Sequence, residues 1–128
     1  MVEIDVTGEE KTSEVLSGAH LKQACDALNT DGFVVLNNVV DHSHLDALHD
    51  KMTEDLEKIL ALPVVPHNFV WGNVQQDPPP FAPYMFRDVI ANPWVIQVTH
   101  AMLGDGMFND YYSGNTNLPG SKLQPAHT

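Results

Sequence analysis

Six of the nine prolines fall between residues 63 and 84, at positions 63, 66, 78, 79, 80 and 83. A helix cannot run through such a stretch, because proline lacks the N–H a helix needs and its ring clashes with the preceding turn. The stretch also carries Phe69, Trp71, Phe81 and Tyr84, large rings that must pack on something. Irregular connections longer than about 12–15 residues are usually functional. The segment is therefore expected to be an ordered loop or lid bordering a site.

Regular elements are legible on both sides of it. Leu21, Ala24, Cys25 and Leu28 follow the i, i+3, i+4, i+7 spacing of one helix face, from Ser17 to about Asn29, ahead of the turn signal Asp31-Gly32. Residues 33–36, Phe-Val-Val-Leu, are a β-branched run of strand length. Asp41 is a good N-cap for a longer helix whose stripe is Leu45, Leu48, Met52, Leu56 and Ile59, with Leu45 and Leu48 expected in the core and an end before Pro63. Asn92-Pro93 gives a cap followed by proline at the first helical position. Val95, Ile96, Thr99, Met102 and Leu103 then trace the expected buried face up to Gly104. Residues 107–117 read as a strand bulged at Gly114, residues 118–120 as a turn, and residues 122–128 as a final strand. The acidic residues 1–16 read as a mobile lead-in with one short strand near Val2–Val6, leaving 17–128 as the domain. The expected class is α+β, helices first and strands last. Two or three terminal strands cannot close a sheet, so the chain is expected to be the N-terminal part of a larger fold.

Charge narrows the partners. Six Lys+Arg against 17 Asp+Glu give a net charge of −11, with no basic cluster. Such a chain repels nucleic-acid phosphates and anionic lipid, so a small or cationic partner is expected, with neither nucleic acid nor membrane. There is no apolar run of spanning length and no signal-like N-terminus, and the single cysteine, Cys25, has no partner for an internal disulfide. A soluble, cytoplasmic protein is expected.

Seven histidines, 20, 42, 44, 49, 67, 100 and 127, are the other chemical feature. His42, His44 and His49 lie beside Asp41, Asp46 and Asp50 at helical spacings that would clip a divalent ion. A solvated helix face explains the same pattern better. His67 heads the aromatic loop and is a candidate substrate contact. No CxxC, HExxH, P-loop, GxGxxG or GxSxG occurs, which removes the sequence support for hydrolase, nucleotide-binding and zinc-finger readings. His127 follows Gln124-Pro125-Ala126 on the expected last strand. A mononuclear iron(II) oxygenase takes two imidazoles and one carboxylate on one face, and on a strand the i and i+2 positions share a face. The carboxylate of such a His-x-Asp pair would stand one residue past Thr128.

The stretch Tyr112-Ser113-Gly114-Asn115-Thr116-Asn117-Leu118-Pro119-Gly120-Ser121, followed by Gln124-Pro125-Ala126-His127-Thr128, resembles the approach to the His-x-Asp motif of the phytanoyl-CoA dioxygenase family. Those proteins are iron(II)- and 2-oxoglutarate-dependent oxygenases built on a double-stranded β-helix, a jelly-roll or cupin-like barrel. The loop Asn68-Phe69-Val70-Trp71-Gly72-Asn73-Val74-Gln75-Gln76-Asp77-Pro78-Pro79 is similar to that of an aminoglycoside-oxidising branch. So are Asp88-Val89, Asn92-Pro93, Gln97-Val98-Thr99-His100 and Leu103-Gly104. The similarity runs from about residue 18 to 128.

The resemblance implies Fe(II) and 2-oxoglutarate as cofactors, His127 as the first iron ligand, and Gln124 as the glutamine that hydrogen-bonds the oxo-acid. Asn115 and Asn117 are candidates to face the oxo-acid or substrate, and Trp71, Gln75, Gln76 and His67 to border a small-molecule pocket. It also implies that the carboxylate ligand, the second histidine and the basic residue pairing with the far carboxylate of 2-oxoglutarate belong to an absent C-terminal half. The expected function is thus an N-terminal fragment of a C–H-oxidising dioxygenase, inactive alone. The alternative is a truncated, non-catalytic paralogue serving as a binding or interaction module. A small metal-binding helical protein using the histidine-rich helix ranks below both.

Overall fold

The computed structural model describes residues 1–124. It is a mixed α/β structure with short strands and, among the described residues, no closed barrel. Backbone contacts divide it into two compact units. One is Met1–His42 with Phe86–Asn109; the other is Ser43–Met85 with the chain from Asp110 onward. No helix among the described residues is long and apolar enough to cross a membrane.

The first unit begins with strand β1 (Glu3–Asp5) and helix α1 (Gly8–Ser13), and so corrects the expectation of a mobile lead-in. β1 pairs in parallel with β2 (Val35–Asn37), Ile4 lying opposite Leu36, and Ile4, Val6 and Leu16 are buried in the core. Sequence position hides this pairing, because the partner lies some thirty residues on, beyond α2 (Gly18–Asp31). Helix α2 is capped by Ser17, whose side chain accepts from the His20 N–H, and ends at Gly32 with φ 81°, where a left-handed residue is needed. A capping box between Thr7 and Glu10 starts α1. The Glu10 carboxylate is buried, accepts from the Thr7 and Ser17 backbone N–H groups at 2.9 and 2.7 Å, and lies 3.0 Å from His20 Nδ1. Those donors, Thr7 first, hold its pKa far below the usual carboxylate value.

Helix α4 (Arg87–Ile90), which the hydrophobic pattern does not announce, precedes α5 (Pro93–Leu103). The Asn92 side chain accepts from the Trp94 and Val95 N–H groups at 3.2 Å and donates to the Val39 and Asp88 carbonyls. The buried face of α5 is not the expected one. Trp94 and Val98 enter the core, while Val95, Ile96, Met102 and Leu103 are exposed. The helix is apolar around nearly its whole circumference, so periodicity does not choose a face. The choice falls to polar anchors: Trp94 Nε1 donates to the Glu10 carbonyl at 3.3 Å, and the Gln97 amide bridges the Glu14 carbonyl and the Leu16 N–H at 2.8 and 2.9 Å.

In the second unit, which takes α3 (His42–Leu60) from Ser43 on, Leu48 is buried but Leu45 is exposed, contrary to expectation. The proline-rich segment holds strand β3 (Asn73–Gln75), antiparallel to β4 (Asn115–Asn117). The expected strand over 107–117 is thus reduced to its last three residues. Residues 122–124, the described part of the expected final strand, are not in a strand.

Candidate functional site

The β3–β4 ribbon is built on alternation. Asn73 lies opposite Asn117, Val74 opposite Thr116 and Gln75 opposite Asn115. Because neighbouring strand residues point to opposite faces, Asn73, Gln75, Asn115 and Asn117 share one face and Val74 and Thr116 the other. Val74 is 0 % exposed, which fixes the second face inward. Gln76, the next residue, is buried among polar partners. Its Nε2 donates to the Met52 carbonyl and its Oε1 accepts from Thr116 Oγ1, both at 2.6 Å. Both ends of this amide are committed internally, so Gln76 ties α3 to the ribbon where a pocket-facing role was expected.

On the amide face lies a hollow of about 490 Å³ lined by Asn73, Asn115, Asn117, Ser121, Lys122, Leu123 and Gln124. Of the sequence-derived candidates, Asn115, Asn117 and Gln124 come together here. Asn73, Ser121 and Lys122 join them without having been singled out. The signal for Asn73 was its spacing of two from Gln75 on a strand, masked by the proline-rich surroundings. Among the described residues Lys122 is the lining's one formal cation. Among the described residues that line this hollow there is no Asp or Glu, although the chain carries 17.

Asn68 closes the hollow from behind. Its side-chain Nδ2 donates to Asn115 Oδ1 at 3.1 Å, and its carbonyl accepts from Asn73 Nδ2 at 3.1 Å and Gln124 Nε2 at 3.3 Å. The same carbonyl accepts from the Val70 N–H at 2.7 Å across Phe69, whose φ is 61°. That is a three-residue turn in its strained, positive-φ form. Beyond it Phe69 and Trp71 are 71 % and 61 % exposed, and the His67 and Trp71 rings stand 6.1 Å apart. His67 Nδ1 accepts from the Gly72 N–H at 3.3 Å. Trp71 is therefore presented on the finger that Asn68 begins, beside the ring of His67, the residue before Asn68. Gln75, exposed at the other end of β3, donates to Ser113 Oγ at 3.0 Å and the Gly114 carbonyl at 3.2 Å. Asp77 accepts from the Ser113 hydroxyl, which holds its carboxyl below the usual range. Tyr112 has a buried hydroxyl without a partner among the described residues, and burial pushes its pKa up.

Gly72 sets the wall. Its φ is 84°, and a Cβ there would stand 2.8 Å from Ser121 Cβ and 3.0 Å from Ser121 Cα. The turn that carries Ser121 is hung on this point, Leu118 N donating to the Gly72 carbonyl at 2.7 Å.

An ammonium, a hydroxyl and amide N–H groups without a competing carboxylate suit a small carboxylate ligand. Iron is a different matter. Among the described residues no group of three His, Cys, Asp or Glu is placed to hold a metal, and His127 lies outside them. On α3, His42, Asp46, His49 and Asp50 are exposed. No family model matches the chain.

Proposed function

We propose that the chain is the N-terminal part of an iron(II)/2-oxoglutarate-dependent oxygenase related to the phytanoyl-CoA dioxygenase family, and that the amide hollow receives the oxo-acid. The observation that carries this reading is the meeting of Gln124, Asn115 and Asn117 in one acid-free hollow beside Lys122. On this reading the amide N–H groups and the Lys122 ammonium bind and orient the acid. His67 and Trp71 border the substrate, a small molecule whose C–H bond is oxidised. A cationic substrate such as an aminoglycoside would be drawn in by the long-range field. His127 is one iron ligand, and the carboxylate and second histidine are supplied by chain beyond this stretch. The apolar side of α5, with Val95, Ile96 and Leu103 exposed, supports an incomplete fold, since a barrel packed there would cover it.

The test is an anaerobic titration of the product of the full reading frame with iron(II) and 2-oxoglutarate. The reading expects a visible metal-to-ligand charge-transfer band that disappears in His127→Ala, and an aspartate directly after Thr128. A band unchanged in His127→Ala, or a frame without that aspartate, would overturn it in favour of a binding module.

A further inference from the structure

The hydrogen bonds behind the hollow decide which end of each amide a ligand meets. Asn115 Oδ1 is taken by the Asn68 side chain, so the group Asn115 has left for the hollow is its N–H pair. Asn73 Nδ2 is taken by the Asn68 carbonyl, and no donor among the described residues reaches Asn73 Oδ1, so Asn73 offers an acceptor. Asn73 is 2 % exposed, which leaves its amide little freedom to turn over. Gln124 Nε2 is likewise drawn back to the Asn68 carbonyl. A free asparagine amide flips at small cost; here one residue breaks the symmetry at three positions. The strained turn at Phe69 holds that residue's carbonyl where all of these donors converge.

We infer that Asn68 is a positioning residue that sets the donor and acceptor polarity of the hollow, turning the Asn115 N–H pair toward the ligand's carboxylate while the Asn73 oxygen faces a ligand hydroxyl or protonated group. The ligand class rests on the oxo-acid reading above; the orientation of the amides does not. Asn68 acts through its neighbours and does not line the hollow itself.

Asn68→Asp replaces the donor with an acceptor at nearly constant volume. Asn115 then turns its N–H pair back to the new carboxylate and presents oxygen to the hollow. Two readouts on the product of the full reading frame separate the claims. The first is the pair of Asn115 side-chain ¹⁵N–¹H₂ signals without ligand, expected to move downfield in Asn68→Asp and to collapse toward averaged values in Asn68→Ala. The second is the dissociation constant for 2-oxoglutarate, expected to rise at least about tenfold in Asn68→Asp, because a hydrogen bond to a charged group is exchanged for a repulsive contact, and by less in Asn68→Ala. Asn115 signals unmoved in both variants, or equal affinities in Asn68→Asp and Asn68→Ala, would overturn the assignment. A wild-type chain indifferent to 2-oxoglutarate would overturn the oxo-acid reading instead, leaving the Asn115 signals to decide the role of Asn68.

Discussion

Replacing Gly72 by alanine perturbs the wall of the hollow in two separable ways. At φ 84° an L-residue carries the left-handed penalty of about 1–2 kcal/mol. Its Cβ would also stand 2.8 Å from Ser121 Cβ, closer than real Cβ atoms approach, and 3.0 Å from the backbone at Ser121 Cα, so the 118–121 turn must shift. Overpacking of that kind costs about a further 1–3 kcal/mol. Gly120 is the internal control, with φ 81° and nothing within 4 Å of its would-be Cβ. Gly120→Ala should therefore cost about 1–2 kcal/mol and Gly72→Ala about 2–5 kcal/mol, a large share of the stability of so small a unit. Native-state hydrogen exchange reads this in the second unit alone. The Leu118 amide, which donates to the Gly72 carbonyl at 2.7 Å, should exchange much faster in Gly72→Ala than in Gly120→Ala. Equal protection of Leu118 in the two variants would show that the close approach of Ser121 carries no energy, and the account of the wall would fail.

Asn92→Ala removes both the cap of α5 and the donor that satisfies the Val39 carbonyl. The loss should be about 2–4 kcal/mol by urea unfolding, with Asn92→Asp in between because it keeps the cap alone. Glu10 titrates low because backbone N–H groups hold its charged form. Its contribution to stability is therefore complete above the ordinary value of 4.5 and is lost as the pH falls below it. The urea midpoints of wild type and Glu10→Gln should accordingly differ most near neutrality and converge in acid. Gln76→Ala leaves the Thr116 hydroxyl without its acceptor and removes the side-chain bond to the Met52 carbonyl of α3, so it should destabilise by about 1–3 kcal/mol. In calorimetric titration its folded population should bind 2-oxoglutarate as wild type does. Lys122→Met should weaken that binding and flatten its dependence on salt concentration, with no change in melting temperature, because Lys122 is exposed.

Local chemistry was readable where it is self-contained. Ser17, Gly32, Asn92-Pro93 and Gly104 delimit α2 and α5 because a cap depends only on residues a few positions away. What depends on distant partners was not. The short strand expected near Val2–Val6 is there at Glu3–Asp5, but its pairing with β2 and the burial of Ile4 and Val6 were hidden, because the acidic composition around it pointed to a loose tail. Two of the residues expected to be buried on α5, Val95 and Ile96, lie outside because Gln97 and Trp94 are held by carbonyls and an N–H of the N-terminal segment. At the site, Asn115, Asn117 and Gln124 were marked by their place in the chain. Asn68 was hidden, since two of its bonds run through a backbone carbonyl beside the positive φ of Phe69 and the third through a side chain reaching a residue 47 positions on. Gln76 looked like its neighbour Gln75, and only the two-residue period of the ribbon separates the buried amide from the exposed one.

The central claim is that the acid-free amide face of the β3–β4 ribbon takes a small oxo-acid. Titrating the ¹⁵N-labelled chain with 2-oxoglutarate while following side-chain amide signals tests it most directly. The account predicts saturable shifts at Asn73, Asn115 and Asn117, with the buried amide of Gln76 still. Shifts confined to other residues, or none at Asn115 and Asn117 at saturating acid, would contradict it.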